Sequence, residues 1–188
     1  MATYGTDKPD LRENKADPSE LAFLFVVDFP MFEKDSTTGQ LTAQPHPFCM
    51  PHPDDLDKLE TDPASVRAWS YDMVLNGFEI ASGSIRIHQP DLQQKIFSLL
   101  GISSAEIERR FGHLLKAFRF GAPPHGGMAP GIDRLCMILA NEPNIREVMA
   151  FPKTGDAREP LTGAPTRLPD SHLRDVHIQL IKSDRQKN

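Results

Sequence analysis

Trp69-Ser70-Tyr71-Asp72-Met73-Val74-Leu75-Asn76-Gly77-Phe78-Glu79-Ile80-Ala81-Ser82-Gly83-Ser84-Ile85-Arg86-Ile87 reads as two strands joined by Asn76-Gly77, the dipeptide best suited to the two positive φ values of a type I′ turn. With these two as loop residues, Leu75 pairs with Phe78, Val74 with Glu79, Met73 with Ile80 and Asp72 with Ala81, and paired residues share a face. Asp72 and Glu79 are then diagonal neighbours at roughly 7–8 Å, a separation that one divalent cation or its waters can bridge. The alternative is two acidic residues on a solvated face, since charged side chains are usually exposed.

Further along the second strand, Ser82, Ser84, Arg86 and His88 have one parity and Ile85 and Ile87 the other. Counted strictly by twos, Arg86 falls on the face opposite Glu79. One extra residue would bring both to the same side, and Ser82-Gly83 is the natural place for such a bulge. Arg86 would there be a planar, bidentate partner for a carboxylate, a selector for an acidic substrate. The alternative is an ordinary exposed strand arginine, or one paired with a structural acid such as Asp72.

Outward from the hairpin, residues 22–29 form a nearly continuous apolar run that suits a strand buried on both faces. The turn formers of 34–39 lead into Leu41-Thr42-Ala43, which predicts a hairpin. The Pro-rich stretch 45–63 permits only a short helix near 54–59. After the central hairpin, apolar spacing predicts a helix over 92–100 ending at Gly101, and Ser103 with Glu106 opens another that runs to about Phe118. A Gly/Pro loop over 121–127 precedes a mostly buried helix over 131–140. Met149-Ala150-Phe151 is read as a further strand, 152–169 as loop, and a last helix starts after Asp170. Hairpins followed by helices, without alternating β-α units, indicate an α+β fold: an antiparallel sheet flanked by helices. Phe97, Phe111, Phe118 and Met137 sit at helical spacing and are read as core.

The 188 residues, 39% hydrophobic, suffice for one domain with a core. A net charge of -5 argues against a free-standing nucleic-acid binder, which needs a basic surface to neutralise phosphates. Cys49 and Cys136 are too few for a disulfide framework, so a reducing compartment is expected. No apolar run reaches the ~18 residues of a membrane span and no secretory signal pattern appears.

A second candidate site is Gly126-Gly127-Met128-Ala129-Pro130-Gly131-Ile132-Asp133-Arg134-Leu135. Small residues permit close backbone approach, and a helix starting near Pro130 offers free N–H groups to an anion. Arg134 in its first turn adds a fixed charge and a flat surface for stacking on a base. A helix-capping loop is the alternative, since neither a Walker nor a dinucleotide fingerprint is present. His46, Cys49 and His52 match no standard zinc spacing. His125 has no nucleophile motif beside it.

Taken together, the segments Tyr4-Gly5-Thr6-Asp7-Lys8-Pro9-Asp10-Leu11-Arg12, Val26-Val27-Asp28-Phe29-Pro30-Met31-Phe32, His46-Pro47-Phe48, Tyr71 to Gly77, Gly83 to His88, Gly121 to Gly127, Gly131-Ile132-Asp133-Arg134 and Ala150-Phe151-Pro152-Lys153 resemble the aspartyl-tRNA synthetases of bacterial and organellar type, in that family's order. The segment Thr162-Gly163-Ala164-Pro165 also fits. The resemblance implies the C-terminal portion, residues 1–188, of a class II aminoacyl-tRNA synthetase catalytic domain. The implied reaction is activation of L-aspartate by ATP to aspartyl-adenylate, then transfer to tRNA(Asp), by an enzyme that is usually a homodimer. It implies that Arg86 grips the substrate's side-chain carboxylate, with His46 and Ser84 also in the aspartate site. Glu79 is implied to hold Mg²⁺ on ATP, with Asp72 supporting it. Gly131, Ile132, Asp133 and Arg134 match the third class-defining motif, whose arginine stacks by the adenine and reaches the γ-phosphate. No protein nucleophile is implied; positioning and charge neutralisation would carry the rate.

The sequence also departs from that pattern. The paired histidines before Pro-Phe read Pro45-His46, and the Gly-rich run before Ser84 reads Ala81-Ser82-Gly83. Only about ten residues join the Arg12 and Phe23 regions, where bacterial members carry a large insertion. The anticodon-binding domain and the first and second class motifs are absent, so the isolated chain is expected not to activate aspartate at a useful rate. A non-catalytic synthetase-like module that binds nucleotide or a partner is the competing class, and an asparaginyl or non-discriminating relative is a second enzyme reading. The expected compartment is the cytoplasm or the mitochondrial matrix, with no membrane association.

Overall fold

Asn76 and Gly77 take φ values of 51° and 84°, so the central hairpin closes as its dipeptide requires. The computed structural model describes residues 4–181. They divide between Asn141 and Glu142 into two compact units. The first carries β1 (Phe23–Val27), β2 (Phe32–Lys34), β3 (Leu41–Ala43), α1 (Lys58–Thr61), β4 (Ser70–Leu75), β5 (Phe78–Ile85), α2 (Pro90–Leu99), α3 (Ser104–Phe118), β6 (Gly126–Pro130) and α4 (Ile132–Leu139). The second carries a 3₁₀ turn at Ile145–Val148 and α5 (Asp170–Asp175).

The main sheet is antiparallel throughout, in the order β1-β4-β5-β6, and β2 pairs with β3 in a separate ribbon. Between β4 and β5 the register begins as expected, with Leu75 opposite Phe78 and Val74 opposite Glu79. It then slips: Met73 faces Ala81 and Asp72 faces Ser82, leaving Ile80 as the extra residue. The irregularity that the parity argument required is therefore present, but at Ile80 and not at Ser82-Gly83. The expected pairings of Met73 with Ile80 and Asp72 with Ala81 are corrected accordingly. Ile80 is an apolar residue buried to 7% exposure, and its carbonyl accepts the Gly131 N–H at 2.7 Å, so the bulge is held from the β6–α4 junction. At Ser82-Gly83 the pairing stays regular on both sides, with Gly83 packed tightly between its neighbours. A Cβ there would lie 2.3 Å from the Gly127 oxygen and 2.5 Å from Tyr71 Cε2, inside any tolerable contact.

Four other expectations change. Residues 126–130 form an edge strand where loop was predicted, because glycines allow their backbone to approach β5 closely. The run at 22–29 gives β1, but its faces differ: Phe23, Phe25 and Val27 are 57%, 58% and 57% exposed. β1 is an edge strand, and this side of it stays more than half exposed. In α4 only Met137 is buried, and residues 149–151 form no strand.

The helices follow their local signals. The Ser103 hydroxyl accepts the Glu106 N–H at 3.3 Å and caps α3. Two apolar clusters lie beneath the far end of β5. One gathers Met31, Met50, Leu59, Val66, Ile87 and Ile96. The other stacks Phe97 on Phe111 at 4.6 Å between centroids, with Phe48 edge-on to both. Buried Asp55 ties the intervening loop together, accepting from Arg67 Nε at 2.7 Å and Lys58 Nζ at 2.6 Å. These cations, Arg67 first, hold its carboxyl far below the usual range.

Candidate functional site

The slip at Ile80 restores the parity that a regular ribbon would have lost. Ser70, Asp72 and Val74 share a face of β4, and their partners Ser84, Ser82 and Glu79 share it from β5. Arg86 continues by twos from Ser84. A cleft of about 470 Å³ opens on this face, lined by Asp72, Ser82, Ser84, Arg86, His46 and Asp7 among others. Glu79 lies nearer the hairpin tip.

At the cleft's far end, backbone pairing fixes the loop carrying His46. Met50 N–H donates to Ile85 O at 2.8 Å, Ile87 N–H to Phe48 O at 3.0 Å, and buried Gln93 Nε2 to Pro47 O at 2.8 Å. His46 is thereby brought against Arg86, whose Nη1 approaches both ring nitrogens, Nδ1 at 3.1 Å. Ser84 Oγ lies 3.3 Å from Nε2. A guanidinium has donors only, so a ring that accepts from it must be neutral. Burial, then the Arg86 charge, hold the His46 pKa below its ordinary value. Among the described residues Arg86 forms no ion pair, with Asp72 or any other acid. Cys49 is buried alongside, where burial pushes its thiol up to about 11, and is unreactive.

At the near end, Glu79 faces Lys8 Nζ at 3.3 Å and Arg134 Nη1 at 3.7 Å. Arg134 also donates to the Glu79 carbonyl, which sets its guanidinium beside the hairpin with its side chain 47% exposed. Gly131 caps α4 and Asp133 lies in its first turn. Ile132 is exposed. The carboxyl of Asp72 is held above its ordinary pKa, chiefly by burial, with Glu79 adding to the rise and a Ser82 hydrogen bond opposing it. A second carboxylate near a partly desolvated one is a donor set that a divalent cation would stabilise, so these residues fit Mg²⁺. Among the described residues no group of three acids, histidines or cysteines gathers for a metal, His46, Cys49 and His52 included.

The structure thus brings Arg86, His46 and Ser84 together at one end and Glu79 and Arg134 at the other, with Asp72 between. Sequence reading missed Lys8 as a neighbour of Glu79. Its only signal was position inside a charged run, Asp7-Lys8-Pro9-Asp10, with no periodicity to aim it.

An antiparallel sheet with flanking helices and a charged cleft across it is the architecture of one synthetase class. The family described as tRNA synthetases class II (D, K and N) matches residues 1–155, and the chain belongs to it. It is 57% identical over 165 residues to the aspartate–tRNA(Asp/Asn) ligase of Rubrobacter xylanophilus, a match covering 88% of this chain and 28% of that protein. To the aspartate–tRNA ligase of Streptomyces coelicolor it is 50% identical over 161 residues, 85% of this chain and 27% of the other. An aspartyl tRNA synthetase structure from Entamoeba histolytica superposes with a TM-score of 0.51 at 29% identity, over 71% of this chain and 23% of that one. The chain therefore spans little more than a quarter of the length of the curated relatives it matches. No helix among the described residues is long and apolar enough to cross a membrane.

Proposed function

We propose that the chain is the C-terminal portion of the catalytic domain of an aspartate–tRNA ligase, and that it supplies the aspartate pocket and part of the ATP site. The observation that carries this is Arg86: a guanidinium held in a cleft against a neutral histidine, with no acid paired to it among the described residues. A carboxylate ligand would complete it with two parallel hydrogen bonds. Neutral His46 keeps the site's positive charge on one group, and Ser84 offers a hydroxyl beside it. Glu79 and Asp72 would hold Mg²⁺, which when bound neutralises charge on the ATP phosphates. Gly131 and the first turn of α4 would face the nucleotide, with Arg134 stacked by the adenine and reaching the γ-phosphate. The chain's contribution is orientation and charge complementarity, the substrate carboxylate being its own nucleophile. The second step delivers aspartate to tRNA(Asp), in a homodimeric whole enzyme of the cytoplasm or mitochondrial matrix.

The test is aspartate-dependent ATP–pyrophosphate exchange by a form extended N-terminally to the relatives' length, beside its Arg86→Ala variant. Exchange should depend on Arg86; equal rates with and without it reject the assignment. The 188-residue chain alone should exchange negligibly, because it spans little more than a quarter of the length of the relatives it matches. Both descriptions, aspartate–tRNA and aspartate–tRNA(Asp/Asn) ligase, occur among the relatives, and charging of tRNA(Asp) against tRNA(Asn) by the extended form decides between them.

A further inference from the structure

The acid assigned above to a metal ion is already matched by a cation of the chain's own. Lys8 Nζ stands 3.3 Å from one oxygen of Glu79, and Arg134 stands 3.7 Å from the other. The backbone around Lys8 is braced against the hairpin tip. A Cβ on Gly77 would meet Asp10 Cβ at 3.4 Å and the Lys8 carbonyl at 3.7 Å, so this stretch rests on the turn itself. The Lys8 N–H donates to Thr6 Oγ1 at 3.1 Å. Arg12 clamps Asp10 through bonds of 3.0 and 2.8 Å. The strap thus delivers its ammonium to the edge of the two-carboxylate face, where Asp7, Asp72 and Glu79 stand against Lys8 and Arg134.

A divalent ion reaching Glu79 must take that carboxylate from Lys8 or sit beside its ammonium. Resting on the assignment of Glu79 and Asp72 to Mg²⁺, we infer that Lys8 is a positioning residue. It acts as a built-in counter-ion that holds Glu79 in the ion's absence and competes with the ion for it. The repulsion between an ammonium and a divalent cation a few ångströms apart is large in a dry site and modest in a wet one. The Lys8 side chain is 42% exposed, so the competition is a brake and not a block. Such a brake disfavours a bare ion at the carboxylates and favours one arriving with phosphates, whose negative charge offers the displaced ammonium a new partner.

Titration of the 188-residue chain with Mn²⁺ as the probe, followed by the electron paramagnetic resonance of the free ion, tests this without any catalytic readout. Circular dichroism checks that each variant keeps its secondary structure. Lys8→Met should bind Mn²⁺ roughly three- to tenfold more tightly than the parent. Lys8→Arg should stay near the parent, and Glu79→Gln should lose the binding in either background. Glu79-dependent binding that Lys8→Met leaves unchanged or weakens overturns the counter-ion role while the metal assignment stands. No Glu79-dependent binding in any variant overturns both.

Discussion

The two ends of the β4–β5 ribbon solve opposite electrostatic problems. At the Arg86 end a cation is held without an anion among the described residues, its loop partner neutral and its backbone neighbours pinned by Met50, Phe48 and Gln93. At the Glu79 end an anion is held between two of the chain's own cations, Lys8 and Arg134. The first is incomplete until a carboxylate arrives. The second is complete and must be reopened. An unpaired charge in a rigid surround discriminates strongly, since any ligand lacking the matching group leaves it unsatisfied. A paired charge in a half-exposed surround is worth less and adjusts more easily. Selectivity for the small substrate is therefore expected at the Arg86 end, and responsiveness to ions at the Glu79 end.

The sharpest way to break this contrast is Arg86→Gln in the N-terminally extended form. Loss of one partner of a desolvated charge pair costs roughly 2–5 kcal/mol, so kcat/KM for aspartate should fall by about 30-fold to several thousandfold, measured by pyrophosphate exchange. Arg86→Lys should recover little, because a point charge does not replace a planar fork. An effect of less than about tenfold would mean that the two ends do not differ as argued.

Gly83 lies between the ends and controls how closely β6 approaches β5. A Cβ at Gly83 meets the Gly127 oxygen at 2.3 Å, whereas a Cβ at Gly127 meets nothing within 4 Å. Gly83→Ala should destabilise the chain by about 1–3 kcal/mol, read from denaturant unfolding, and Gly127→Ala should leave it nearly unchanged. β6 leads into α4, so Gly83→Ala in the extended form should also disturb Arg134 and raise the KM for ATP. Equal stabilities for the two variants would show that strand spacing does not position the Glu79 end.

These two ends were not equally legible in sequence. The hairpin was written in Asn76-Gly77, and parity alone showed that Arg86 and Glu79 could share a face only through an irregularity. Its place was not legible, because Ile80 looks like any strand residue. What selects it is the Gly131–Ile80 hydrogen bond, a contact between segments about fifty residues apart. The strand at β6 was hidden for a related reason: glycines weaken strand propensity, yet here they are what lets two backbones meet. The apolar run of β1 announced a strand but not its exposed face, since hydropathy records what a residue prefers and not what covers it. Lys8 was invisible as a site residue, as nothing local tells which acid a lysine will find.

A smaller effect sharpens the account of the Arg86 end. The folded state holds the His46 pKa below its ordinary value of 6.5, so the unfolded chain binds this proton more readily. Stability from the neutral ring is then full above about pH 6.5 and falls as the pH drops through the ordinary value toward the depressed one. Thermal unfolding of the 188-residue chain between pH 7.5 and 5 should show this decline, and His46→Gln should flatten it. A profile unchanged by the substitution would mean that the ring does not accept from Arg86 as a neutral base.

The smallest effect belongs to Asp72, where stability and the proposed ion pull in opposite directions. Burial and the neighbouring Glu79 raise its pKa, so keeping it ionised in the folded state at pH 7 costs some stability. Asp72→Asn removes the charge and keeps the size, leaving an amide that can still bond Ser82. The melting temperature of the 188-residue chain should therefore hold or rise slightly, while Glu79-dependent Mn²⁺ binding weakens. A fall in both would make Asp72 a structural acid of the ribbon; a rise in the first with a loss in the second is the signature of a carboxylate kept charged for a ligand and not for the fold.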